Sequence, residues 1–325
     1  MALILHRRVG ATTVPGRITL TACTQTDLTW RRAGGAGQVA PGGRRTLTLL
    51  AVVGLCLAGL TSCRTAEPEV SGHCAAFGLD AADPRADAAL DRSSPEVHLA
   101  VRHREDGLRG RFHLFTEGID WERPVGLLVR LHGDGAEEYT VPERLLTCLA
   151  AEAASHNLVL LTPLTPDGSN ERTWWMELDQ NRAWLTSLVR TQVEQLGVDP
   201  QRIWWMGYSG GAEMLSYGIL PEDPELVTGG AVLLGGGGDP GWTTTTAPAS
   251  VREGACLQWI VGEEDDGSRP GQEFDALAAS RDGASRYRRL GFAQVGLEVV
   301  PGEDHLSLPQ SGWMDRLLQQ GCPLV

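Results

Sequence analysis

The sequence predicts an α/β fold built on a mostly parallel central sheet with helices on both faces. Short apolar runs alternate with longer amphipathic segments, which is the pattern of βαβ units. The runs are apolar at nearly every position, as expected for strands that are covered on both faces. A length of 325 residues and a hydrophobic content of 42% suffice for one such domain preceded by a leader.

The leader divides into segments of unlike composition. We expect residues 1–38 to be a mis-annotated upstream segment, with the true start at Val39, or to be disordered. Residues 39–62 have the pattern of an export signal, because two arginines precede an uncharged apolar run that is too short to span a membrane. Leu60-Thr61-Ser62-Cys63 resembles a bacterial lipobox, and the resemblance implies lipidation of Cys63. An ordinary signal cleaved nearby, or an uncleaved anchor, is the alternative.

These features predict a lipoprotein on the outer face of the cytoplasmic membrane, or a secreted protein. Residues 63–95 are polar with little periodicity, so we expect a flexible tether, with the folded domain at residues 96–325.

The net charge of −13 argues against a nucleic-acid partner.

Four cysteines follow Cys63, an even number that allows a disulfide framework in an exported chain with three possible connectivities. Cys256 opens a predicted strand and Cys322 lies near the C-terminus, which favours that pair and leaves Cys74 with Cys148. Buried free thiols are the alternative.

The predicted strands of the domain lie at residues 97–101, 110–115, 125–131, 158–163, 202–206, 231–234, 256–261 and 297–300. The predicted helices lie at residues 142–154, 181–196 and 212–219. Active sites in such sheets lie at the carboxyl ends of the strands, so the residues that follow each run are the candidates for chemistry.

One strand end carries the sequence Gly207-Tyr208-Ser209-Gly210-Gly211. A run of apolar residues enters this sequence and an amphipathic segment leaves it, which predicts a strand, a tight turn and a helix with Ser209 at the apex. Glycines on both sides of a strained serine let the strand and the helix approach closely.

Three other strand ends carry polar groups. His132-Gly133-Asp134-Gly135 follows the third predicted strand, and Glu263-Glu264-Asp265-Asp266 follows the seventh. His305 follows the last strand, and it is the one histidine beyond Ser209 among the 8 of the chain.

With these residues the chain resembles the α/β-hydrolase superfamily over about residues 97–320. It is most similar to secreted esterases of the polyhydroxybutyrate depolymerase and feruloyl esterase type. Those esterases share a His-Gly turn after an early strand and a phrase like Val198-Asp199-Pro200-Gln201-Arg202-Ile203 before the serine turn.

The resemblance implies a triad in the chain order serine, acid, histidine. It makes Ser209 the nucleophile, His305 the base and Asp265 the acid that orients it. Glu264 and Asp266 are close rivals for the acid, and Asp239 is a distant one.

The oxyanion of a tetrahedral intermediate needs preorganised donors. We expect one from the N–H of Gly210 and a second from Asp134 or Gly135, with His132 holding that turn in place. The side chain of Asp134 is unusual beside a developing negative charge, so we expect it to point away or to bind a cationic part of the substrate.

The Trp174-Trp175 pair is either a substrate platform or part of the core. No Cys/His cluster has zinc spacing, so we predict no metal and no cofactor. The sequence therefore predicts an exported, lipid-anchored serine hydrolase acting on a small or polymeric ester. A peptidase, an acyltransferase and a non-catalytic ligand-binding lipoprotein are the alternatives. The acids around Asp134 favour neutral or cationic esters over polyanions.

Overall fold

The computed structural model describes residues 73–169, 171–241 and 247–320. The predicted upstream segment, the signal peptide and Cys63 lie outside these residues. None of the helices in the described ranges is both long and apolar enough to cross a membrane.

An eight-stranded sheet organises the described domain. Its strands are β1 (Val97–Glu105), β2 (Leu108–Phe115), β3 (Gly126–Leu131), β4 (Leu158–Leu164), β5 (Ile203–Tyr208), β6 (Gly230–Leu234), β7 (Cys256–Gly262) and β8 (Gln294–Val300). Their order in the sheet is β1-β2-β4-β3-β5-β6-β7-β8. The β1–β2 and β2–β4 pairs are antiparallel, and every later pair is parallel.

Helices cover both faces of this sheet. They are α1 (Glu137–Thr140), α2 (Leu145–Ser155), α3 (Leu178–Leu196), α4 (Gly210–Met214), α5 (Leu220–Glu222), α6 (Ala249–Gly254), α7 (Ala276–Arg289) and α8 (Gln310–Gln320). A π-helical turn, Leu215–Ile219, joins α4 to α5. The predicted α/β class with a mostly parallel sheet is confirmed.

Alternation along β3 shows how the core is divided. Leu127 and Val129 belong to the cluster that packs against α3, whereas Leu128 belongs to the cluster that packs against α2. All three side chains are fully buried. A strand buried on both faces must be apolar at every position, which is why the sequence shows continuous apolar runs.

A β-bulge interrupts β1 and changes which of its side chains face each side. The register shifts between His98 and Val101, and Ala100 has a positive φ of 53°. Because one extra residue is inserted, the alternation of side chains reverses at this point. Beyond the bulge, His103 faces α3 and contacts Trp184, with ring centroids 5.6 Å apart.

Residues 73–95 differ from the predicted flexible tether, because they pack against the domain. A short 3₁₀ helix, His73–Phe77, carries Cys74, and the Cys74–Cys148 disulfide joins it to α2. Arg85 adds an ion pair with Asp315 of α8 at 2.7 Å. A disulfide and an ion pair to residues far along the chain hold a segment that has no periodicity of its own.

The Cys74–Cys148 pairing predicted from the sequence is thereby confirmed. The other predicted pair, Cys256 with Cys322, includes a residue outside the described ranges and stays a prediction.

Candidate active site

Ser209 lies at the apex of the turn between β5 and α4. Its backbone angles, φ 51° and ψ −119°, are unusual for a residue with a side chain. Such strain persists only where the surroundings hold it. Here the Ser209 N–H donates to Leu234 O at 2.9 Å, and Ser209 O accepts from Ala212 N at 2.8 Å.

The glycines of the motif are required by close backbone approach. A Cβ at Gly211 would lie 2.6 Å from Leu131 O and 2.8 Å from His132 O. A Cβ at Gly207 would collide with the backbone of Gly211 itself. The two glycines therefore allow α4 to pack against the end of β3, as the sequence pattern indicates.

Ser209, His305 and Asp265 form a continuous chain of hydrogen bonds. The Ser209 Oγ lies 2.9 Å from His305 Nε2, and His305 Nδ1 lies 2.8 Å from Asp265 Oδ2. A carboxylate only accepts hydrogen bonds, so Nδ1 carries the ring proton and Nε2 accepts from the serine hydroxyl. This tautomer is the one in which a histidine acts as a base toward a serine.

The rival acids have other partners. Glu264 pairs with Arg269, and Asp239 pairs with Arg289 at 3.2 Å. Asp266 accepts from the backbone of its own loop. Asp265, by contrast, is only 1% exposed and points at His305.

One feature that sequence reasoning missed holds the loop of His305. The Tyr208 hydroxyl donates to His305 O at 2.6 Å, and the two rings lie 5.1 Å apart. The sequence Gly235-Gly236-Gly237-Gly238 is expected to let the chain pass close to the site, and a Cβ at Gly235 would indeed lie 3.2 Å from the His305 ring. Tyr208 occupies a variable position of the serine motif, which gives no signal of this role.

The backbone N–H groups of Gly210 and Asp134 are two of the oxyanion donors that the sequence indicates. Neither donates to another residue in the described part of the chain. The N–H of Gly135 donates to Glu171 O at 2.8 Å, so Gly135 is not available as the second donor. Of the two residues left open by the sequence, the geometry favours Asp134.

His132 holds the turn that carries Asp134, as predicted. The Thr165 N–H donates to its Nε2 at 3.1 Å, so Nδ1 carries the proton and donates to Gly133 O at 2.7 Å. Burial lowers the pKa of His132 to about 4. The ring is therefore neutral at physiological pH, and its two hydrogen bonds determine which nitrogen carries the proton.

The carboxylate of Asp134 points into the site and not away from it. Its Oδ2 accepts from Trp175 Nε1 at 3.0 Å, and its Oδ1 lies against Gly210, where any Cβ would collide with it. Burial raises the pKa of Asp134, although the hydrogen bond from Trp175 opposes this shift.

The two adjacent tryptophans differ in burial, so each fits a different one of the two roles that the sequence left open. Trp174 is fully buried and packs beside His132, with ring centroids 5.0 Å apart. Trp175 is 45% exposed at the edge of the site. Trp174 thus belongs to the core, whereas Trp175 is exposed beside Asp134 and stays a candidate for ligand contact.

A cleft of about 360 Å³ opens beside Ser209 and His305. Its wall combines apolar side chains with acids and one arginine, namely Phe77, Val141, Leu145, Leu306, Asp134, Glu137, Glu138 and Arg144. A buried arginine lies beneath it. Arg130 is 1% exposed, pairs with Glu138 at 3.0 Å and lies 5.9 Å from the ring centre of Tyr208. A charged residue inside an apolar run, such as Arg130 in residues 125–131, is the sequence signal of this buried ion pair.

The one grouping of potential metal ligands in the described residues is His73, Cys74 and Cys148. Its two sulfurs form the disulfide, so they are not free thiolates.

No protein-family model matches the chain, and no curated protein has a similar sequence. Solved structures are similar. A thermostable esterase matches 69% of this chain with a TM-score of 0.51 and 19% identity, and the chain spans 60% of that protein's length.

Two further structures match less well. The Bacillus cereus carboxylesterase has a TM-score of 0.49 and 17% identity, and the match covers 65% of this chain and 94% of that protein. The feruloyl esterase module from Clostridium thermocellum has a TM-score of 0.48 and 15% identity, and the match covers 71% of this chain and 91% of the module. The strand order, the helices on both faces and the first of these likenesses together show that the chain has the α/β-hydrolase fold.

Proposed function

We propose that this protein is a serine hydrolase that cleaves carboxylic esters through an acyl-enzyme intermediate. The observation that carries the proposal is the hydrogen-bonded chain from Ser209 through His305 to Asp265, with distances of 2.9 and 2.8 Å. A serine hydroxyl needs such a base to become a nucleophile at neutral pH.

In the proposed mechanism, Ser209 Oγ attacks the ester carbonyl carbon while His305 Nε2 takes the hydroxyl proton. Asp265 stabilises the resulting imidazolium. The N–H groups of Gly210 and Asp134 stabilise the oxyanion. When the intermediate collapses, the bond between the carbonyl carbon and the leaving oxygen breaks, and His305 returns its proton to the departing alcohol. Water, activated by the same histidine, then hydrolyses the acyl-enzyme to the acid and regenerates Ser209.

The cleft supports neutral or cationic esters as substrates. Its apolar members, Val141, Leu145 and Leu306, suit an acyl or aromatic group. Asp134 places negative charge beside the nucleophile, which disfavours a polyanionic substrate, whereas Glu138 is paired with Arg130.

A substrate panel tests the proposal. We expect the protein to hydrolyse p-nitrophenyl esters, and Ser209→Ala to abolish turnover while leaving the circular dichroism spectrum unchanged. Equal rates on peptide anilides would indicate a peptidase, and acyl transfer to an added alcohol in preference to water would indicate an acyltransferase. No turnover of any substrate by the folded protein would favour a non-catalytic ligand-binding role.

We further propose that the protein is exported and anchored through a lipid on Cys63. The proposal is supported by the lipobox-like sequence Leu60-Thr61-Ser62-Cys63 and by the Cys74–Cys148 disulfide, which is typical of an oxidising compartment. We expect intact-mass analysis to find a lipidated Cys63 as the first mature residue, and Cys63→Ser to release the protein from the membrane fraction. Recovery of residues 1–38 in the cellular product would contradict the expected start at Val39.

A further inference from the structure

Four arginines form a compact group on the β1–β2 hairpin, apart from the candidate active site. In the antiparallel register, Arg102 lies directly opposite Arg111, and Arg104 lies directly opposite Arg109. Residues two apart on a strand share a face, so all four side chains project from the same face of the hairpin. All four residues are exposed.

This arrangement is unfavourable unless something neutralises it. Directly opposed side chains on a sheet lie about 4.5–5.5 Å apart at Cβ, and like charges there destabilise the pair. No ion pair joins any of the four to an acid in the described part of the chain. The nearest acid on the strand, Glu105, faces α3 and accepts from Ser187 at 2.7 Å. Four unpaired guanidinium groups thus stand together on a protein whose net charge is −13.

The two faces of the hairpin have different surroundings. On one face, His103 and Gly110 pack against Trp184 of α3, and a side chain at Gly110 would collide with that ring. On the other face the arginines surround a cleft of about 320 Å³, which is lined by Arg102, Arg104, Arg109, Arg111 and the central pair His103 and Gly110. The cleft is therefore concave, with arginines on its walls.

Protection of a sheet edge does not explain this group. Charged residues commonly protect an edge strand from pairing with other chains. Of the two hairpin strands, β1 is at an edge of the sheet, whereas β2, which supplies Arg109 and Arg111, is paired on both sides.

We propose that this cleft is a binding site for a compact ligand that carries several neighbouring phosphate groups. The planar guanidinium group donates paired hydrogen bonds to phosphate oxygens, and four of them can neutralise a short oligophosphate. The concave shape suits a compact anion better than the flat surface of a bilayer.

The site lies on the same edge of the sheet as Ser209. Arg111 pairs with Leu164 at the carboxyl end of β4, and the β1–β2 hairpin extends beyond the end of β4. Strands β4 and β3 separate β2 from β5, so the proposed site is distinct from the cleft beside Ser209. Binding there does not depend on the proposed hydrolase chemistry.

Calorimetric titration of the full-length protein with sodium tripolyphosphate at low ionic strength tests the site. We expect saturable binding that weakens as sodium chloride is added. The double substitution Arg104→Gln with Arg109→Gln should weaken binding by about tenfold or more, because it removes two charged donors. Ser209→Ala should bind like the wild type.

A matched control removes the same charge elsewhere. Arg123 and Arg281 are exposed and lie outside the cleft. The double substitution Arg123→Gln with Arg281→Gln should change the affinity by less than about twofold. If the Arg104/Arg109 variant fails to fold, the pair Arg102→Gln with Arg111→Gln provides the same test.

Three results would overturn the proposal. One is the absence of saturable binding at low salt, and another is equal weakening by the cleft and control variants. The third is binding to phosphatidylglycerol vesicles that depends on Arg104 and Arg109 without any binding of tripolyphosphate, which would indicate a membrane contact in place of a compact site.

Discussion

Replacing Gly211 with alanine tests the way in which the site is built. The new Cβ would lie 2.6 Å from Leu131 O and 2.8 Å from His132 O, both of them backbone atoms. An ordinary carbon–oxygen contact is about 3.4 Å, so α4 and the end of β3 must separate by roughly 0.8 Å. Overpacking of this kind costs about 1–3 kcal/mol, and replacing glycine inside a helix returns about 0.5–1 kcal/mol.

The larger effect should fall on activity. The displaced backbone leads directly into the turn that carries Asp134, one of the two proposed oxyanion donors. A shift approaching 1 Å in a catalytic group can lower the rate by about a hundredfold. We therefore expect Gly211→Ala to lower kcat/KM by about ten- to a hundredfold, while urea unfolding shows a net loss of at most about 2.5 kcal/mol.

Gly254→Ala is the matched control, because Gly254 also lies in a helix and its added Cβ would have no described atom within 4 Å apart from its chain neighbours and its own helix backbone. It should leave kcat/KM unchanged and alter stability by about 1 kcal/mol or less. Wild-type activity and stability in Gly211→Ala would refute the reasoning about close approach.

Three further predictions concern individual acids. Asp265→Asn should lower kcat by about three to four orders of magnitude through loss of the histidine tautomer, whereas Glu264→Gln should stay within about twofold; a large loss in the latter would reassign the acid. Burial raises the pKa of Glu152 well above its ordinary value. Above about pH 4.5 the unfolded state releases the Glu152 proton while the folded state still binds it, so the free energy of unfolding falls as pH rises. Glu152→Gln should therefore raise Tm more at pH 8 than at pH 5, and an equal change at both pH values would contradict this. Asp134→Asn should raise kcat/KM on neutral esters by about fivefold and reduce it on cationic ones, since it removes a carboxylate beside the oxyanion; the opposite change on neutral esters would argue against the placement.

The central strands and the serine turn could be predicted because they depend on local signals. An apolar run such as residues 125–131 indicates a strand that is buried on both faces, and β3 occupies nearly the same residues. The turn at Ser209 requires glycines at fixed spacing, so five consecutive residues, 207–211, are enough to predict its geometry. The strand ends then bring the candidate residues to one edge of the sheet.

Features that depend on distant partners could not be predicted in the same way. The bulge at Ala100 depends on how β1 pairs with β2, which no local pattern indicates. The packed segment at residues 73–95 depends on a disulfide to Cys148 and an ion pair to Asp315. Choosing Asp265 over its neighbours requires the backbone direction of a loop, because adjacent acids have the same chemistry.

Labelling with a fluorophosphonate probe, followed by peptide mass spectrometry, tests the central claim most directly. The probe forms a covalent bond with a serine that a neighbouring base has activated. We expect one adduct on Ser209 in the native protein, and none in the heat-unfolded protein or in His305→Ala. Absence of an adduct on native Ser209, or an undiminished adduct in His305→Ala, would contradict the proposal that His305 activates Ser209 for catalysis.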